Sequence, residues 1–130
     1  MTSILPWGFV VTPREVFEKL NATIGSGDWS ELHLLYAEDA EVEIPFQPNR
    51  IHGRAQIREH FAQHAGRIVL EPRDVRIYDT DDPEVVIAEW KYEVGGRLLQ
   101  NIQVLRVRDG LIVATRDYHD HRQLAEILRG

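Results

Sequence analysis

A chain of 130 residues with 43% hydrophobic content can bury one core of ordinary size, so a single domain over residues 1–130 is predicted. A formal net charge of −6, with thirteen arginines and two lysines scattered among acids, excludes the basic face that a nucleic-acid partner needs. The absence of cysteine excludes disulfides, thiolate nucleophiles and cysteine-bound metal or iron–sulfur centres.

Met1 to Val11 carries no basic leader, and Pro6 and Gly8 interrupt its apolar run. Neither a signal peptide nor a membrane span is predicted, and a cytoplasmic protein with no membrane partner is expected. Thr12-Pro13-Arg14-Glu15 reads as a capping box with proline in the first helical turn, and Val11 and Val16 suit a hydrophobic staple. Val16, Phe17, Leu20 and Ile24 follow at helical spacing until Gly25 and Gly27. A second short helix is expected from an Asp28 cap with Glu31 three residues on, its apolar face holding Leu32, Leu35 and Tyr36.

From Ala40 to Phe46 the period becomes two, with Ala40, Val42, Ile44 and Phe46 on one face and Glu41 and Glu43 on the other. This predicts a half-buried strand ended by Pro45 and Pro48. Arg54 to Ala65 returns to helical spacing, with Ile57 and Phe61 as its stripe, His60 and His64 beside it and Gly66 as its stop. Four strands are then expected, Ile68 to Tyr78, Val85 to Val94, Arg97 to Arg108 and Leu111 to His119. Asp81-Asp82-Pro83, Gly95-Gly96 and Asp109-Gly110 separate them, and a short closing helix follows over Arg122 to Arg129. Helices first and an antiparallel meander after them give an α+β fold, a strongly bent sheet folded over three helices into a cone that can hold a small molecule.

Strand alternation sets the candidate site. On the last strand Val113, Thr115, Asp117 and His119 are expected to share one face, with Ala114, Arg116, Tyr118 and Asp120 on the other. Across the Asp109-Gly110 turn, Asn101, Gln103 and Leu105 fall beside Thr115 and Asp117, and Trp90 and Tyr92 come from the next strand. In such an apolar pocket the pKa of Asp117 rises through desolvation; the bland alternative pairs Asp117 with an arginine. His119 is either a second acid/base at the mouth or a solvated strand end.

No metal site is expected. Of His119 and His121 only one is expected to face inward, and His60 and His64 lack the glutamate of zinc hydrolases, so they edge the pocket or lie on the surface. Trp29 and Tyr36 are expected in the core, and Asp39 in a local turn or cap. Arg116 and Tyr118, on the outer face, suit a homodimer contact.

Gly27-Asp28-Trp29, Tyr36-Ala37-Glu38-Asp39-Ala40-Glu41-Val42, Gly53-Arg54-Ala55-Gln56-Ile57-Arg58-Glu59-His60-Phe61, Val107-Arg108-Asp109-Gly110-Leu111-Ile112 and Tyr118-His119-Asp120 together resemble SnoaL-like proteins of the NTF2-like superfamily. The resemblance implies that superfamily's cone fold and admits several activities. Against the ketosteroid isomerases, the base position holds Ile44, the protonated acid falls at Gln103 and the tyrosine donor at about Leu20. Against the limonene-type epoxide hydrolases, one aspartate matches Asp117, while the arginine and second aspartate fall near Trp90 and Tyr92. The aromatic polyketide cyclases match best, with Asp117 as general acid/base and Asn101 and Gln103 as polar helpers.

The resemblance therefore implies a cofactor-free cyclase or isomerase acting on an apolar or aromatic carbonyl-bearing ligand. Asp117 moves the proton, Gln103 and Asn101 bind the enolate, and His119 assists. Phe17, Leu20, Ile44, Phe46, Phe61, Trp90, Tyr92, Leu105 and Thr115 are expected to shape the pocket. Epoxide-hydrolase-like water addition and a non-catalytic binding or assembly module are the alternatives.

Overall fold

A computed structural model of the chain describes residues 3–4, 10–45, 50–66 and 69–129. Phe46, Pro48 and Ile68, which the sequence reading placed in or beside strands, lie outside the described residues. Strands β1 (Ser3–Ile4) and β2 (Val10–Val11) pair antiparallel ahead of helix α1 (Pro13–Ser26). The capping box forms as predicted. Thr12 Oγ1 accepts from the Glu15 N–H at 3.2 Å, and the Glu15 carboxylate accepts from the Thr12 N–H at 3.2 Å. Gly27 closes the helix at φ 81°, a conformation that favours glycine, and α1 buries Val16, Phe17 and Leu20.

The second helix is shorter than expected. The Asp28 carboxylate accepts from the N–H and the hydroxyl of Ser30, at 3.1 and 2.7 Å, so it closes a local turn instead of capping a helix. Only a 3₁₀ turn, Leu32–Leu35, follows, and Tyr36 already begins strand β3 (Tyr36–Glu43). The apolar alternation that predicts this strand begins only at Ala40, after Glu38 and Asp39, which are exposed in the structure. An irregularity in register between Tyr36 and Glu41 absorbs them. Strand β4 (Arg50–His52), which pairs antiparallel with β3, was not expected.

Helix α2 (Arg54–His64) starts after Gly53, whose φ is 86°. Arg54 Nε donates to the Tyr36 carbonyl at 2.9 Å, tying the helix start to the strand start. Strands β5 (Glu71–Asp79), β6 (Val85–Val94), β7 (Arg97–Arg108) and β8 (Leu111–His119) form the meander, and α3 (His121–Arg129) closes the chain. Asp109 (φ 54°) and Gly110 (φ 77°) both adopt the positive φ that a two-residue hairpin demands. The six-stranded sheet runs β4-β3-β8-β7-β6-β5, and only β3 and β8 are parallel.

One bulge changes the expected faces. Arg106 pairs with Ala114 but Val107 pairs with Ile112, so Val113 is the extra residue. The expectation that Val113 shares the face of Asp117 is therefore corrected: Ile112, fully buried, takes the inner face with Thr115. Beyond the bulge the alternation holds, because directly opposed residues share a face, and the pairs Leu105–Thr115, Gln103–Asp117 and Asn101–His119 all point into the cone. Inside, the core combines Phe17 and Leu20 of α1, Leu32, Ile57 of α2, and Val86, Ala88, Trp90, Leu105, Val107 and Ile112 of the sheet. Fully burying each large side chain contributes about 1.5–3 kcal/mol, which fixes the sheet's curvature over α1 and α2. Among the described residues no helix is long and apolar enough to cross a membrane.

Candidate functional site

A cavity of about 350 Å³ opens between the concave face of the sheet and the helices. Leu20 and Ile24 of α1, Ile57 and Phe61 of α2, Ile44 and Ile51 near β3 and β4, and Leu124 and Ala125 of α3 supply its apolar wall. Asn101, Gln103, Asp117 and His119 enter that wall side by side because β7 and β8 hold them in direct register.

Not every residue expected to shape the pocket reaches it. Leu20, Ile44, Phe61 and Tyr92 line the cavity. Phe17, Trp90, Leu105 and Thr115 do not; they are buried in the layer beneath, where Phe17 and Trp90 pack at a ring-centroid distance of 5.1 Å. Trp90 then meets Tyr92 edge-on at 5.4 Å, so it supports the wall from behind. Phe46 lies outside the described residues.

Several lining residues carried no site assignment from the sequence. Trp29 and Tyr36 are buried, as expected of core residues, but both also border the cavity. His60 and His64 of α2, expected at the pocket's edge or on the surface, do edge it, with rings 5.1 Å apart, T-shaped. The helical spacing that put both beside the Ile57–Phe61 stripe was the signal for them. Burial, and then the charge of His64, hold His60 below the usual histidine pKa. Leu124 and Ala125 come from the closing helix, whose docking side no local pattern announces.

The electrostatics of the wall are unusual in one respect. Among the described lining residues there is no lysine or arginine, and the only carboxyl is that of Asp117. Desolvation raises its pKa from 3.8 to about 7, and a hydrogen bond from Gln103 opposes that rise. The arginine pairing considered from sequence does not occur: none of the ion pairs of the described residues includes Asp117.

Asp117 Oδ1, Gln103 Oε1 and Asn101 Oδ1 are buried without a hydrogen-bond partner in the protein. Unpaired buried polar atoms are rare because each costs about 1–3 kcal/mol, and three neighbours on one cavity wall mark a place where a ligand's polar groups can complete them. Tyr36 and Tyr92 stand near by; burial, and then the charge of Asp117, raise the pKa of both well above the ordinary tyrosine value. Among the described residues no group of three or more His, Cys, Asp or Glu side chains is placed to hold a metal ion.

Residues 17–115 match the SnoaL-like domain model. An uncharacterized PhzA/B-like protein of Pseudomonas aeruginosa is 32% identical over 106 residues, covering 74% of this chain and 75% of that protein. A solved Bacillus subtilis structure with a provisional isomerase assignment superposes with a TM-score of 0.80 at 28% identity, covering 91% of this chain and 93% of the other. The epoxide hydrolase/cyclase-like enzyme SalBIII, of pyran ring formation in the polyether salinomycin, superposes with a TM-score of 0.71 at 19% identity, covering 85% and 92%. That last likeness concerns the fold alone. Together these structures and their NTF2-like neighbours share the α+β cone described above.

Proposed function

The chain belongs to the SnoaL-like domain family, and we propose that its cone binds an apolar, carbonyl-bearing small molecule and moves a proton on it, with Asp117 as general acid/base. One observation carries this reading. Among the described residues a single carboxyl, ion-paired with none of them and raised to about 7, stands in the wall of a mostly apolar cavity. A carboxyl near the ambient pH exists in both protonation states, which is the condition for taking a proton from one atom and returning it to another.

The proton passes through that carboxyl. The carboxylate removes a hydrogen from the carbon beside the ligand's carbonyl, and the electron pair of the broken C–H bond moves onto the carbonyl oxygen. The neutral acid then returns the proton to a different carbon, as in an isomerisation; or the enolate carbon attacks a second carbonyl of the same ligand, whose C=O π bond breaks as the C–C bond of the ring forms and whose oxygen takes the proton back from the acid. Gln103, directly opposite Asp117, holds the carboxyl in place. The apolar walls from Leu20, Ile44, Phe61 and Tyr92 exclude water and receive the ligand's body.

Water addition of the epoxide-hydrolase type suits the site less well, because the arginine and second aspartate that the resemblance implies for it fall near Trp90 and Tyr92. A homodimer through the outer face of the sheet, where exposed Leu98 and Ile102 stand near Tyr118, belongs to the same reading. Sedimentation equilibrium of Ile102→Arg against wild type tests it; a monomeric wild type rules the dimer out.

The direct test of the activity is exchange of the α-hydrogens of 1-tetralone, a flat aromatic ketone, in D2O, followed by proton NMR. Wild-type protein is expected to accelerate exchange and Asp117→Asn to abolish the acceleration. Equal rates with both proteins, at a ketone concentration shown to saturate the cavity, rule out the acid/base role.

A further inference from the structure

Gln103 directs its hydrogen-bond donor at Asp117, and the atom it leaves unpaired, Oε1, is an acceptor, as is Asn101 Oδ1. An enolate oxygen needs donors. Two groups of that kind come from the strands on either side of the Asp117–Gln103 pair. Tyr36 stands on β3, which pairs with β8, and Tyr92 stands on β6, which pairs with β7. Both rings line the cavity. Tyr36, only 3% exposed, is held at 5.9 Å from the Phe61 ring, and Tyr92 is braced by the edge of Trp90. We propose that the hydroxyls of Tyr36 and Tyr92 are the hydrogen-bond donors that hold the ligand's carbonyl oxygen and the enolate it becomes.

This inference rests on the acid/base reading of the cavity and goes further by naming the oxygen-binding groups and the ligand feature they select. Electrostatics agree with it. The two hydroxyls feel the charge of Asp117, and all three groups line the same cavity. Because burial keeps both phenols protonated, they remain donors across the working pH range. When Asp117 takes the proton it becomes neutral, and the negative charge then sits on the oxygen between two neutral donors. Charge thus moves from one site to an adjacent prepared one, with no change in the net charge of the cavity. A cavity so arranged favours ketones, enones and phenols over hydrocarbons or ethers of equal size.

The test uses 4-nitrophenol, whose phenolate mimics an enolate, and 4-nitroanisole, which has the same body without an ionisable hydroxyl. Binding of each is measured by absorbance and calorimetry to wild type, Tyr36→Phe, Tyr92→Phe and Asp117→Asn, across pH 5–9. Each Tyr→Phe change is expected to weaken 4-nitrophenol binding about tenfold and to move the ionisation of the bound phenol to higher pH, with 4-nitroanisole binding unchanged. Asp117→Asn, which fixes the neutral state of that side chain, is expected to strengthen phenolate binding. Equal losses for both probes, showing a packing defect, overturn the proposal, as does unchanged affinity or the absence of phenol binding by wild type. Loss of ketone exchange in Asp117→Asn alongside unaltered phenol binding in both Tyr variants defeats this inference and leaves the acid/base reading standing.

Discussion

Asp117 and Glu84 are acids of the same curved sheet, and the protein treats them in opposite ways. Glu84, in the turn leading into β6, receives Arg106 at 2.9 Å on one carboxylate oxygen and Arg108 at 3.0 Å on the other. Hydrogen bonds from Arg108 and then Arg106 hold its pKa down at about 2. Asp117, further along the neighbouring pair of strands, is ion-paired with none of the described residues and rises to about 7. The first is a carboxylate used to pin a turn against β7, where the Glu84 carbonyl also accepts from the Val107 N–H at 2.8 Å. The second is kept in surroundings that cost stability, as the acid/base role proposed for it requires.

The contrast breaks first at the reaction. Asp117→Asn is expected to lower ketone exchange at least a hundredfold, in the range that removal of a general base produces, while Glu84→Gln leaves the rate intact. Exchange rates of the two variants side by side check this, and comparable losses in both would erase the distinction.

Stability against pH sharpens it next. The folded-state pKa of Asp117 lies above the unfolded value, so the native state binds more protons between about 4 and about 7 and loses stability as pH rises through that window. Once Asp117 is ionised the penalty is about 4 kcal/mol. Urea unfolding of Asp117→Asn is thus expected to show a gain of that order over wild type at pH 8 and little difference at pH 4. Glu84 has the opposite sign. Its folded pKa is depressed, so its contribution is present above about 4.5 and is lost as pH falls towards 2. Glu84→Gln is expected to lower the melting temperature at pH 7, with the gap closing below pH 3.

A smaller effect separates unpaired polar atoms in the core from those on the cavity wall. Thr115 is buried beneath the cavity with Oγ1 unpartnered, so Thr115→Val is expected to stabilise the fold by about 1 kcal/mol without altering ligand binding. A loss of affinity in that variant would place Thr115 in the site after all.

How far these positions were legible in the sequence follows from the range of the signals. The Thr12–Glu15 box, the Asp109-Gly110 turn and the long alternation of β6 and β7 are local, and each is present in the structure. Counted outward from that turn, whose closing pair is Arg108–Leu111, Gln103 would fall opposite Arg116 and Asn101 opposite Tyr118; the bulge at Val113 shifts the register by one and creates the pairs Gln103–Asp117 and Asn101–His119. The bulge itself was not legible, since Ile112 and Val113 are equally apolar and only pairing decides which points inward. Three residues of β4 are too few to show a period, and the packing of Leu124 and Ala125 onto the cavity depends on where the chain's end docks. Tyr36 was read as the last residue of a helical face; a cavity neighbour contributed by the start of a different strand has no sequence signature at all.

The most direct test of the account is a carboxyl NMR titration of Asp117, assigned by comparison with Asp117→Asn, in the free protein and with 1-tetralone bound. The account predicts a pKa near 7 that shifts again when the ketone occupies the cavity. A pKa close to that of a free aspartate, and indifferent to the ketone, would contradict it.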